Sequence, residues 1–166
     1  MPELTNHDLK LFFYELVDNH FKNLPRPNSI TIKFGKRAKR RLGSIWYDDK
    51  NHTSVITITK YLANPVIPLF VVKAVLAHEL VHYYTGFGSS LDKKYEHAHR
   101  GSVIKREMSE YGLWGLYSES EKWIKQNWAL VVRKNSRYNS TDLDIQRELM
   151  MLHQNIVNAQ QQARLF

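Results

Sequence analysis

The residues with the most evident chemistry are two histidines four positions apart, in the segment His78-Glu79-Leu80-Val81-His82. Side chains at positions i and i+4 of a helix lie one above the other on the same face, so both imidazoles can take corners of one zinc tetrahedron. Glu79 projects beside the metal rather than onto it, where it can accept a proton from a zinc-bound water whose pKa is lowered toward ~7. The spacing therefore predicts one Zn²⁺ per chain, held by His78 and His82, with Glu79 as the catalytic residue.

A third protein ligand completes such a site, and its position distinguishes the classes of zinc hydrolase. Thr85 and Gly88 occupy the positions at which a metzincin has glycine and histidine, so that class is excluded. A downstream glutamate and a downstream histidine both remain open. We favour His99, because at the start of a predicted helix it shares a face with Val103, and Glu107 is its main alternative. Further downstream candidates are Glu96, His97 and Glu110.

The helix that bears the motif is predicted over residues 68–84 and is apolar on every side until His78, which indicates a buried central helix. Polar groups on such a helix are costly to bury without a partner, and a metal supplies one. Apolar periodicity predicts the other elements: helices at 5–22, 100–111, 119–134 and 141–166, and strands at 30–34, 42–47 and 54–60. The order of helix, three strands and further helices predicts an α+β fold.

The densest run of charge lies between the first two predicted strands and contains Lys36, Arg37, Lys39, Arg40 and Arg41. The chain as a whole has a formal net charge of +8, which favours contact with polyanions. Two interpretations are equally open for this run, a contact with the phosphate backbone of DNA and a solvated surface loop.

The composition sets broad limits on the class of protein. Of 166 residues, 43% are hydrophobic and 24% charged, which is typical of one globular domain. The absence of cysteine excludes disulfides, a catalytic thiol and cysteine-ligated zinc. The N-terminus lacks the pattern of a signal peptide, and the longest apolar region, 66–77, is too short to span a bilayer. We therefore expect a cytoplasmic protein that has no membrane partner.

Between residues 42 and 111 the chain resembles the SprT-like zinc metalloprotease family, to which Spartan belongs. The likeness rests on four segments in order: Leu42-Gly43-Ser44-Ile45-Trp46, then Ile56-Thr57-Ile58, the histidine motif, and His99 at the opening of a helix. The resemblance implies a zincin-like fold, a metal held by His78, His82 and His99, catalytic Glu79, and peptidase activity on protein substrates, with a link to DNA-associated proteins. Arg100 stands where the family usually has glycine, and nothing from residue 113 onward matches.

These observations predict two parts of the chain: a catalytic core over residues 1–112, and a helical extension over 113–166 that packs on or beside it. Four aromatic residues of the extension are interpreted as core packing rather than base stacking: Trp114, Tyr117, Trp123 and Trp128. The predicted function is a zinc-dependent metallopeptidase. The alternative is a nucleic-acid-binding or scaffold protein with a structural or vestigial zinc site. Glu79 favours the enzyme, because a purely structural site needs no base.

Overall fold

The computed structural model describes residues 2–136, which adopt the predicted α+β arrangement of an N-terminal helix, a three-stranded mixed sheet and further helices. The helix predicted over 141–166 lies outside these residues. No helix within residues 2–136 is both long and apolar enough to cross a bilayer. The elements are α1 (Asn6–His20), β1 (Ser29–Phe34), β2 (Gly43–Asp48), β3 (Thr53–Ile58), α2 (Leu69–Tyr84), α3 (Val103–Glu110) and α4 (Trp114–Ser136), with short 3₁₀ helices at Lys60–Ala63 and Arg100–Ser102.

The sheet has the order β1-β3-β2, so β3 is central and β2 is an edge strand. β2 and β3 form an antiparallel hairpin. In its turn the Asp48 carboxylate accepts a hydrogen bond from the backbone N–H of Lys50 at 3.1 Å. β1 pairs with β3 in the parallel sense, with Ile32 opposite Ile56. This topology leaves one side of β2 without a partner strand among the described residues.

α2 is the central helix, and it packs against α1, α3, α4 and the sheet. Its apolar side chains are buried on nearly every side, as the sequence predicts, and Leu76 and Leu80 have no exposed surface. α1 begins at a capping box, in which Thr5 N–H donates to the Asp8 carboxylate at 2.7 Å. The backbone of the motif is therefore held by tightly packed neighbours on several sides.

Two predicted helix boundaries are wrong. α3 begins at Val103 rather than at residue 100, because Gly101 (φ 64°) and Ser102 (φ 62°) adopt left-handed conformations that break the helix. His99 therefore precedes the α-helix and does not share a helical face with Val103. α4 begins at Trp114 rather than at residue 119, two residues after Gly112 (φ 68°), whose left-handed conformation follows the end of α3.

Candidate metal centre

The two motif histidines lie on one face of α2, as their spacing predicts. Nε2 of His78 and Nε2 of His82 are 3.0 Å apart. His82 is buried and His78 is half-buried. The packing of α2 fixes their backbone, and the two imidazoles face one point.

His99 approaches the pair from the loop that follows α2. Its ring centroid lies 4.6 Å from that of His82 and 5.3 Å from that of His78. One ring nitrogen from each of the three histidines lies within 4.8 Å of the other two. His99 is exposed, so the cluster opens to solvent on its side. The structure thus brings together the three histidines named from the sequence, and they could hold a metal ion.

The chemistry of this donor set fits a metal. Burial, reinforced by the neighbouring imidazoles, lowers the pKa of His78 to about 3 and that of His82 to about 4, so both rings are neutral and can coordinate. Nitrogens bound to one tetrahedral zinc at ~2.0–2.1 Å lie about 3.3 Å apart, close to the separation of the His78 and His82 Nε2 atoms. Imidazole also suits copper, iron and nickel, so the three rings alone leave the identity of the metal open.

Glu79 is buried beside the cluster, with 5% of its surface exposed. Burial raises the pKa of its carboxyl to about 7, against the opposing charge of Arg41. The side chain lies against the backbone of Gly43, where an added Cβ would come within 2.5 Å of Glu79 Oε1. The missing side chain at Gly43 therefore makes the space that the Glu79 carboxylate occupies.

Two clefts adjoin the cluster and share the lining residues Arg41, Gly43, His78 and Glu79. The larger cleft has a volume of about 540 Å³ and extends along the start of β2 and the loop that carries His99. The smaller cleft, of about 230 Å³, lies between α2 and α4. Both clefts therefore border the histidine cluster and Glu79.

α4 contributes a residue to the site that the sequence interpretation missed. The ring of Tyr117 stacks on that of His78, with centroids 5.7 Å apart and planes 22° apart, and it lines the smaller cleft beside Glu79. Burial raises the pKa of Tyr117 to about 12, which keeps its hydroxyl protonated. No local pattern distinguishes Tyr117 from the packing aromatics around it, because its role depends on how α4 docks. The tyrosines nearer the motif in sequence line neither cleft: Tyr83, Tyr84, Tyr95 and Tyr111.

Glu107, the alternative third ligand, is fully buried and is engaged elsewhere. Its carboxylate accepts a hydrogen bond from the Tyr95 hydroxyl and forms an ion pair with Lys94 at 2.9 Å. Both partners lie in the loop between α2 and His99, so Glu107 anchors that loop to α3. The other candidate ligands also lie outside the three-histidine group: Glu96 and His97, which are 3.6 Å apart at the surface, and Glu110, which is 3.5 Å from Lys94.

The predicted basic run forms an exposed loop whose backbone is fixed. Thr59 Oγ1 accepts from the Ala38 N–H at 2.9 Å, and the Trp128 indole donates to the Lys39 carbonyl at 2.7 Å. Arg40 and Arg41 line the smaller cleft, and Arg41 lines the larger one as well. All five basic side chains are exposed, and among residues 2–136 none is in an ion pair: Lys36, Arg37, Lys39, Arg40 and Arg41.

Comparison with known proteins gives no match for the chain among protein-family models, curated proteins or solved structures.

Proposed function

We propose that the protein is a zinc-dependent metallopeptidase of the SprT-like, zincin-like type, with His78, His82 and His99 as ligands of one Zn²⁺. The observation that carries the proposal is a three-histidine cluster with a buried carboxylate, Glu79, beside it at the junction of two clefts. A structural metal site needs neither an adjacent base nor an open cleft. Zinc at this position supplies Lewis acidity, lowering the pKa of a coordinated water to about 7 and polarising a carbonyl group.

In the proposed reaction, Glu79 acts first as a general base and then as a general acid. Its carboxylate accepts a proton from the attacking water as the water oxygen bonds to the peptide carbonyl carbon. It then returns that proton to the amide nitrogen as the C–N bond breaks. Burial of the carboxylate favours both steps, because it raises the pKa of the group toward the working pH, where proton transfer is most efficient. Gly43 supports this role, because it leaves the carboxylate room beside the histidines.

A polypeptide is the substrate that the surroundings favour. The side of β2 that pairs with no strand among residues 2–136 offers backbone N–H and C=O groups to an extended chain, and the start of β2 lines the larger cleft. Addition of a peptide to a sheet edge supplies affinity through main-chain hydrogen bonds, independently of side-chain identity. Such a peptide would lie across the histidine cluster.

A contact with DNA is the second proposed activity. It is favoured by the five exposed cations of the basic loop beside the cleft, none of which is in an ion pair with another described residue. Such a contact would hold the cleft near DNA-associated proteins, in keeping with the family resemblance. The competing proposal, a binding or scaffold protein with a vestigial metal site, predicts DNA binding without hydrolysis.

The replacement Glu79→Gln tests the enzyme proposal. It retains the size of the side chain and removes the base, so zinc content and folding should be unchanged while turnover falls by ~10²–10⁴-fold. The assay would use a flexible acidic protein, such as casein, and a lysine-rich protein, each with and without single-stranded DNA. Chelation should abolish hydrolysis, and added zinc should restore it.

The matched control is Glu119→Gln, at an exposed position of α4 outside both clefts, which should retain full activity. Metal-dependent hydrolysis that survives Glu79→Gln unchanged would place catalysis on another group. No hydrolysis of any substrate by the zinc-loaded protein, with zinc binding intact, would favour the scaffold.

A further inference from the structure

The larger cleft carries an excess of positive charge that the metal chemistry does not require. Arg41 and Lys93 both line it, and both side chains are exposed. They come from different segments, Arg41 from the loop before β2 and Lys93 from the loop after α2. Among the described residues of the lining Glu79 is the only acidic one, and it is buried. Among residues 2–136 neither cation is in an ion pair, so both are available to a ligand.

The other lining residues favour an extended polypeptide as the negatively charged ligand of this cleft. Gly43, Ser44 and Ile45 belong to β2, whose outer side pairs with no strand in the described part of the chain. An edge strand binds a peptide main chain through directional hydrogen bonds that a nucleic acid cannot reproduce. Phe87 adds an apolar surface beside Lys93, whose Nζ lies 5.5 Å from the centroid of its ring.

The chemistry of the two cations specifies the side chain that such a peptide should carry. The guanidinium of Arg41 presents a planar fork of donors that matches the two oxygens of a carboxylate. Lys93 adds a flexible point charge within the same cleft. A basic side chain placed there would meet two like charges with only the buried Glu79 to offset them.

We infer that the larger cleft selects an extended peptide with an aspartate or glutamate side chain close to the scissile bond, and that Arg41 and Lys93 determine this specificity. The inference rests on the proposed peptidase function and names its substrate class. It predicts that acidic segments bind and are cleaved in preference to neutral segments, and that basic segments are disfavoured.

The test uses three labelled, unstructured peptides that differ at one position, which holds Glu, Gln or Lys. Binding is measured by fluorescence anisotropy with the zinc-loaded Glu79→Gln variant, and cleavage is measured as kcat/KM with the wild-type protein. The Glu peptide should bind about two- to fivefold more tightly than the Gln peptide, as expected for a charge pair at a surface, and the Lys peptide more weakly still. Added salt should reduce these differences.

Lys93→Glu should abolish most of the preference for the Glu peptide, because the added carboxylate offsets the charge of Arg41 in the same cleft, while zinc content stays unchanged. Arg41 is left intact, because its charge also acts on Glu79. The matched control is Lys50→Glu, an exposed lysine in the turn between β2 and β3, which should leave the preference as it was.

The outcomes separate this inference from the proposed function. A preference for Glu in binding, with no cleavage of any peptide, supports the specificity and counts against the peptidase. Cleavage without a charge preference supports the peptidase and overturns the specificity. Equal or undetectable binding of all three peptides also overturns the specificity. If single-stranded oligothymidylate displaces the Glu peptide and its own affinity falls with Lys93→Glu, the cleft is a nucleic-acid site and the inference is wrong.

Discussion

At the scale of single residues, the third ligand is the position where sequence reasoning had the most alternatives. His99 is exposed at the rim of the larger cleft, whereas Glu107 is fully buried and held by Lys94 and Tyr95. Removing Glu107 from that pairing would leave the Tyr95 hydroxyl without its buried acceptor. The two residues therefore make different contributions, one as a proposed ligand and one as an anchor of the loop that presents it.

We predict that His99→Ala weakens zinc binding by more than the ~10–100-fold typical of a group that only orients a ligand. Glu107→Gln keeps a hydrogen-bonding side chain of similar size, and it should weaken zinc binding by no more than that range. Competition with a chromophoric chelator measures both affinities, and circular dichroism verifies that each variant is folded. A larger loss for Glu107→Gln, with His99→Ala silent, would make Glu107 the ligand.

At the scale of elements, the site depends on how closely β2 approaches α2. The strand begins at Gly43, whose backbone lies against the Glu79 side chain. Gly43 does not adopt a left-handed conformation, so alanine is compatible with its backbone, and the obstacle is the carboxylate itself. The contact gives a physical reason for a residue without a side chain at this position.

We predict that Gly43→Ala displaces the Glu79 carboxylate and lowers kcat by about 10²-fold, the cost of misplacing a catalytic group by about 1 Å. The three histidines lie outside this contact, so zinc content should be unchanged. The control is Gly115→Ala in α4, where an added Cβ meets nothing within 4 Å. That variant should keep full activity and gain about 0.5–1 kcal/mol in the free energy of unfolding, because alanine is the better helix former. Equal activity of Gly43→Ala and wild type would show that Glu79 tolerates displacement.

At the scale of the whole molecule, the main feature is the positive charge on the surface beside the smaller cleft. The formal net charge is +8, and the basic loop places five exposed cations beside the smaller cleft. The backbone of this loop is tied to Thr59 and to Trp128 of α4, so its side chains extend from a fixed scaffold. A fixed array of cations can contact successive phosphates without paying the full ordering cost of a flexible tail.

We predict salt-dependent DNA binding that is independent of base sequence. Replacing Lys39, Arg40 and Arg41 by glutamine should weaken binding and flatten the slope of log K against log salt by about 2–3, since each lost phosphate contact contributes about 0.7–0.9. The control replaces three exposed lysines elsewhere with glutamine, so that the net charge changes equally: Lys10, Lys22 and Lys33. Binding that falls equally in both triple variants would reflect net charge alone, and no binding by wild type at low salt would remove DNA from the proposed function.

The local sequence was sufficient to predict those structural features that depend on contacts between residues close together in the chain. The helical register that stacks His78 over His82, the Thr5 cap of α1 and the hairpin turn after Asp48 all follow from contacts within four or five positions. Such patterns also predicted the α+β order and the burial of α2. His99 was favoured by family resemblance and by a helical face that the structure does not contain, although the ring does join the cluster.

Contacts between distant segments account for what the sequence left unassigned. Three such contacts join residues far apart in the chain. They are the parallel pairing of β1 with β3, the stacking of Tyr117 on His78, and the contacts of Glu107 with the loop that carries His99. Local propensity carries no information on such pairs, because their free energy arises only when whole elements pack together. The burial that raises the pKa of Glu79 has the same origin: β2 must meet α2 before the carboxylate is enclosed beside the histidines.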